Sequence, residues 1–294
     1  MGGLICPICQ GPLERAGARF VCARRHSFDI AREGYVNLLP SRKLPRLAGD
    51  SAEMVRARQR FLERGHYERL SDALNELAAG ELVERPEPAR PSAHCVIEVG
   101  CGPGYYLGRL QDQVRQRPEA RHRAARLDFY GIDIARDAAR LAARRYPDIQ
   151  FVVADIQRRV PLADRSVRVL LDVFAPRNAA EFARVVAPGG LLLVAIPRPD
   201  HLAELRAGAD LLAIEEHKEE RVIERFARTF ELARTTAMAY EVEPGDEDLV
   251  DLLLMTPNYR HLTSSALDAI RARRLARVTV SVAILAFTRT TTQA

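Results

Sequence analysis

The chain has 294 residues, 47% of them hydrophobic, and a formal net charge of +5. That length and apolar fraction exclude a largely disordered chain and suffice for one α/β domain with a small appendage. No apolar run approaches the ~20 residues that span a bilayer, and the first residues lack the basic and apolar regions of a signal peptide, so a soluble, cytoplasmic protein without membrane contact is expected.

The charge is uneven. Residues 1–47 hold Arg15, Arg19, Arg24, Arg25, Arg32, Arg42, Lys43 and Arg46 against only Glu14, Asp29 and Glu33. A basic end suits a polyanion through phosphate contacts; a solvated surface is the plainer alternative.

Within that end, Cys6, Cys9, Cys22 and His26 form C-x2-C-x12-C-x3-H. Two close pairs of N/S donors match the tetrahedral shell that Zn²⁺ prefers, and four protein ligands leave no open position for catalysis, which makes the expected zinc structural. Leu13 and Arg19-Phe20-Val21 predict a small hairpin between the pairs. So small a module cannot build a sufficient core, so metal binding would supply its folding free energy. Ordinary buried thiols are the alternative, although the five cysteines do not have the spacing of a disulfide framework.

A helical region runs to the Pro-rich stretch Glu84–Pro91. The expected boundaries are a zinc-binding, RNA-recognising module over 1–47, a helical linker over 48–91 and a catalytic domain over 92–294. The last opens with Cys95-Val96-Ile97-Glu98-Val99-Gly100-Cys101-Gly102-Pro103-Gly104. Glycines let a strand-to-helix turn approach a ligand closely. A dinucleotide fingerprint would need glycine where Tyr105 stands. The form E-x-G-x-G-x-G is instead that of nucleotide-dependent methyltransferases, where it holds the methionine end of S-adenosyl-L-methionine.

Further strands are predicted at Leu127–Asp133, Ile149–Asp155, Val167–Phe174 and Leu191–Pro197, the last after the turn Ala187–Gly190. A loop is expected around Arg115–Arg126, and a terminal strand at Arg277–Phe287 should pair with Thr236–Val242. Strands alternating with helical stretches indicate a doubly wound parallel sheet with its ligand beyond the carboxyl ends of the strands. Asp133 is then placed for the ribose hydroxyls and Asp155 for the adenine amino group, with a turn or cap role as the alternative for each.

The whole arrangement resembles the RlmA/TlrB family of 23S rRNA (guanine-N1)-methyltransferases. The resemblance rests on His26–Leu39, Gly49–Met54, Gly65-His66-Tyr67, Val173-Phe174-Ala175-Pro176, His201–Leu205 and Met255-Thr256-Pro257. It implies a class I, Rossmann-like methyltransferase domain behind the zinc module, and methylation of a guanine N1 in 23S rRNA in the exit-tunnel, macrolide-binding region. It also implies a homodimer. Tyr67, Gly102, Pro103 and His201 fall at positions that contact the cofactor in this family. Asp172, Arg177 and Asn178 look nearer the branch that modifies guanine 748 than the one that modifies guanine 745. Asn258-Tyr259-Arg260 departs from the family's Trp-Arg, though Tyr still stacks on a base.

The chemistry asks for in-line transfer to a ring nitrogen that must lose its proton, so positioning and a proton acceptor suffice. Asp172 is the candidate base, Phe174 or Tyr259 the stacking partner of the extruded guanine, and Arg198 a phosphate contact. The rivals are a small-molecule methyltransferase whose zinc module dimerises and a non-enzymatic zinc-dependent nucleic-acid binder.

Overall fold

The computed structural model describes residues 3–39, 49–84, 94–117, 126–206, 216–256 and 275–291. At the N-terminal end, β1 (Glu14–Ala16), β2 (Arg19–Val21) and β3 (Ser27–Asp29) form an antiparallel three-stranded sheet. The first two make the predicted hairpin, with Glu14 opposite Val21. Leu13 and Phe20 are buried beneath it. They pack with Cys6, Cys22 and residues of the main sheet such as Cys95 and Ile97, so the small sheet shares a core with the large one.

The chain then enters the large sheet directly. β4 (Val36–Asn37) pairs in parallel with β7 (Gln150–Val153), Val36 opposite Val152. Two residues carry too short a pattern to mark a strand in the sequence.

Two helices follow, α1 (Ala52–Glu63) and α2 (Glu68–Glu84). Ser51 caps the first, its hydroxyl accepting the Met54 N–H at 3.2 Å. Met54, Val55, Ala57, Phe61 and Leu62 form its buried face at helical spacing. The rest of the chain contains β5 (Cys95–Val99), α3 (Tyr105–Gln116), β6 (Asp128–Asp133), α4 (Arg136–Arg145), β7, β8 (Val167–Val173) and α5 (Ala179–Val185). It continues with β9 (Val186–Pro197), α6 (Ala203–Arg206), α7 (Lys218–Phe226), β10 (Phe230–Val242), α8 (Asp246–Leu254) and β11 (Val278–Arg289).

The eight-stranded sheet has the order β10-β11-β9-β8-β5-β6-β7-β4. β4 to β9 run parallel; β11 is antiparallel to both β9 and β10. Strand order reverses at β5, between β6 and β8, which places the ligand crevice of a doubly wound sheet over the glycine turn. The five expected parallel strands are all present, and the terminal pair is longer than expected, extending over Phe230–Val242. The Ala187–Gly190 turn survives as a bulge: Val167 faces Val186, but Val169 already faces Leu191. The loop expected around Arg115–Arg126 begins later, since α3 carries Arg115 and Gln116; residues 118–125 lie outside the described residues, as do Tyr259 and its neighbours. No described helix is long and apolar enough to cross a membrane.

Candidate metal centre and cofactor cleft

Two knuckles shape the first site. Gln10 and Arg25 each adopt a left-handed conformation, and their N–H groups close the turns onto Cys6 O and Cys22 O, both at 2.8 Å. The four donors therefore converge. Cys9 Sγ lies 3.6 Å from Cys22 Sγ, and His26 Nδ1 lies 3.5 Å from Cys6 Sγ and 3.4 Å from Cys22 Sγ. A tetrahedral zinc with ordinary bond lengths requires edges of about 3.8 Å between sulfurs and about 3.5 Å from sulfur to nitrogen. The residues fit the ion, with Nδ1 as the histidine donor. Around them Arg15, Arg19, Arg24, Arg25 and Arg32 are exposed.

The second site is a cleft of about 1170 Å³ over the carboxyl ends of β5, β6, β7 and β8. Glu98 sits at its floor, almost wholly buried; its carboxyl accepts the Leu107 N–H at 3.1 Å and ties β5 to α3. Burial pushes its pKa well above the usual carboxylate range. Asp133 Oδ2 accepts the Gly102 N–H at 2.8 Å, and Oδ1 accepts the Ala135 N–H at 2.7 Å. Each oxygen keeps a lone pair, the pattern needed to receive two ribose hydroxyls. Burial raises the Asp133 pKa against the pull of those two amides. Asp155 also lines the cleft, but its Oδ1 accepts the Gln157 N–H at 3.0 Å and its Oδ2 lies 3.3 Å from Arg158 Nε.

Tyr67 and His201 meet on the opposite wall, Oη to Nε2 at 3.2 Å, both buried. Phe174 stacks on the His201 ring at 6.0 Å between centroids. It is held at φ 55° and remains 38% exposed, so a large ring faces open space at the end of β8. Such a ring is a platform for a planar ligand.

A family model described as RlmA, N-terminal, a zinc ribbon, matches residues 4–43, and a methyltransferase-domain model matches residues 96–190. The 23S rRNA (guanine(748)-N(1))-methyltransferase of Streptomyces fradiae is 35% identical over 94% of this chain and 90% of its own length. A Micromonospora griseorubida protein provisionally given the name 23S rRNA (guanine-N(1)-)-methyltransferase is 38% identical over 96% of this chain and 95% of its own. The chain belongs to the RlmA family of 23S rRNA (guanine-N1)-methyltransferases. The YxjB protein of Bacillus subtilis, provisionally named in the same way, is 30% identical over 95% of both chains.

In this RlmA-family enzyme the cleft brings together Tyr67, Glu98, Gly100, Gly102, Pro103, Asp133, Asp155 and His201. Gly104 turns the backbone into α3 at φ 80°. Asp172, the candidate base, lies apart from these residues. It is fully buried and is not a lining residue of the cleft; its neighbour Val173 is. Successive side chains of a strand point to opposite faces, which sends the Asp172 carboxylate under the sheet with Leu170. Its nearest cation is Arg177 Nε at 3.7 Å. Arg177 and the Ala175 N–H favour its charged form, yet burial outweighs both and lifts the pKa to about 7. The carboxylate is thus turned away from the cleft. Arg198 is paired with Glu219 at 3.6 Å.

Three participants escaped the sequence reading. Asp50, just before α1, and Arg58, on α1, line the cleft, and the Ser281 N–H donates to His201 Nδ1 at 3.1 Å. The Gly49–Met54 motif was the available signal for Asp50 alone.

Proposed function

We propose that the protein transfers a methyl group from S-adenosyl-L-methionine to N1 of a guanine in 23S rRNA, of the guanine 748 type, in the macrolide-binding region of the exit tunnel. The observation that carries this reading is the Asp133 carboxylate, locked by Gly102 and Ala135 with lone pairs to spare, in a chain whose ribbon presents a basic surface. The guanine 748 specificity is supported by the likeness to the Streptomyces fradiae enzyme across nearly the whole chain.

When bound, the cofactor supplies an electrophilic methyl on a sulfonium. The chain's own residues do the placing. Asp133 receives the ribose, the Gly100–Gly104 turn lets the backbone pass close beneath, and Tyr67 closes the wall opposite. Phe174, exposed at the end of β8, stacks on the guanine once it leaves its helix, and so sets N1 in line with the methyl. The proton on N1 is taken up by solvent water at the open side of the cleft, since the Asp172 carboxylate faces away from it. Cys6, Cys9, Cys22 and His26 would hold a zinc ion that stiffens the ribbon, and Arg15, Arg19, Arg24 and Arg25 bind phosphates.

A homodimer acting in the cytoplasm, and a change in macrolide sensitivity, belong to the same reading. They are checked by light scattering of the purified protein and by drug susceptibility of cells carrying or lacking it. The central test is mass mapping of labelled methyl on 23S rRNA. Label at guanine 748 N1 is expected. Label elsewhere overturns the site, and transfer only to small acceptors overturns the RNA substrate.

A further inference from the structure

The segment before α1 is clamped onto the cofactor side of the sheet. Gly49, at φ 95°, has no room for a side chain: a Cβ there would lie 2.8 Å from Ile134 Cγ2 and 3.3 Å from the Ala135 nitrogen, just beyond Asp133. Asp50 follows and pairs with Arg58 Nη1 at 2.5 Å. Arg58 Nη2 donates to Met255 O at 2.8 Å, which holds the guanidinium against the end of α8. Its Nη1 lies 3.4 Å from the point where a Cβ of Gly102 would stand. Arg58 therefore lies across the glycine turn, beside the carboxylate that receives the ribose.

The hydrogen bonds of the turn show what is missing there. Cys101 N–H is given to Ile132 O at 3.1 Å, Gly102 N–H to Asp133 at 2.8 Å and Gly104 N–H to Cys101 O at 2.9 Å. Pro103 has no N–H. A ribose diol donates two hydrogens, which Asp133 can accept, and also presents oxygen lone pairs that need donors. The turn has none left from residues 101 to 104. Arg58 has, because its fork carries more N–H groups than its two partners use.

We infer that Arg58, steered by Asp50 and Met255 O, is a cofactor-binding residue that donates to the ribose hydroxyl oxygens, so that the linker completes the ribose site of the catalytic domain. This rests on the proposed use of S-adenosyl-L-methionine.

Calorimetry on the full zinc-loaded chain separates the outcomes. The probes are S-adenosylhomocysteine, its 2′,3′-dideoxy analogue and 5′-methylthioadenosine, which keeps the ribose but lacks the amino acid. Arg58→Gln is expected to weaken the first and third by a similar factor, about 5- to 30-fold, as for lost charge-assisted hydrogen bonds. It should leave the dideoxy analogue within about twofold of the wild type, a pattern that a general loosening of the fold does not give. Asp50→Asn, which keeps the cation but frees its fork, gives a smaller loss on the same two ligands. Should Arg58→Gln fail to fold, Arg58→Lys, which keeps charge without the fork, carries the same comparison. Equal loss on all three ligands, loss on S-adenosylhomocysteine alone, or no loss overturns the assignment. A wild-type protein that binds none of the probes overturns the cofactor reading itself.

Discussion

The main-chain N–H of Ser281 donates to His201 Nδ1 at 3.1 Å, and that bond fixes where the imidazole keeps its proton. With Nδ1 accepting, a neutral ring carries hydrogen on Nε2, which points at Tyr67 Oη 3.2 Å away. Tyr67 then accepts from His201 and keeps its own hydrogen for the cleft. Tyr67→Phe is expected to lower kcat/KM about 5- to 10-fold, the size of one lost hydrogen bond, with the fold intact. Steady-state kinetics with varied cofactor check this; an unchanged kcat/KM removes the hydroxyl from the site.

Burial lowers the His201 pKa to about 4 from 6.5, outweighing the nearby Asp200. The unfolded chain then binds the proton more readily than the folded one between about pH 6.5 and 4, so stability present above that window is lost as pH falls through it. The full effect is about 3 kcal/mol. Thermal melts of the wild type should drop more steeply from pH 7 to pH 4.5 than those of His201→Gln. Parallel curves would mean that the imidazole is charged in the folded protein.

Asp172 runs the other way. Its folded pKa of about 7 lies above its ordinary 3.8, so the stability it contributes is complete below about pH 3.8 and is lost as pH rises through 7. Asp172→Asn is expected to raise stability at pH 8 by about 2 kcal/mol and to keep methyl transfer within a few-fold. Chemical denaturation at pH 5 and pH 8 and an activity assay check both halves. A loss of activity beyond about 100-fold would restore this carboxylate as the base.

Metal removal should be felt beyond the ribbon. Cys6, Cys22, Leu13 and Phe20 share a core with Cys95 and Ile97 of β5. Cys22→Ser or chelation is therefore expected to lower the melting temperature of the whole protein and not to produce a separate early transition. Calorimetry with zinc analysis checks it; an unchanged main transition would show the two cores to be independent.

Phe174→Ala should cost more on RNA than on the cofactor, because the exposed ring is placed for the base. The expected loss is about 1–3 kcal/mol in RNA binding, with cofactor affinity nearly unchanged. Fluorescence titrations with a 23S rRNA hairpin and with S-adenosylhomocysteine separate the two.

The parts of this molecule that were legible in the sequence are those set by local chemistry. The spacing of Cys6, Cys9, Cys22 and His26 dictates converging knuckles, and an apolar run into Gly100–Gly104 dictates strand, turn and helix. Asp133 could be placed because strand ends gather on one edge of a parallel sheet. Asp172 could not, because one residue along a strand exchanges the cleft for the interior, and its distance from the strand end hides which. Arg58 and Ser281 were illegible for another reason: each acts through a neighbour brought from far along the chain, and no periodicity records that.

The pairing of β4 with β7 bears on how the protein is made. Gln150 Nε2 donates to Gly34 O across 116 positions of sequence, so the edge strand cannot find its neighbour until more than half of the polypeptide has left the ribosome. Contacts of such separation are slow to form. The ribbon's knuckles are local, and its metal can close them early during synthesis. An emerging chain would thus carry a finished basic module on an unpaired tether, and docking that tether at β7 becomes a late step of maturation.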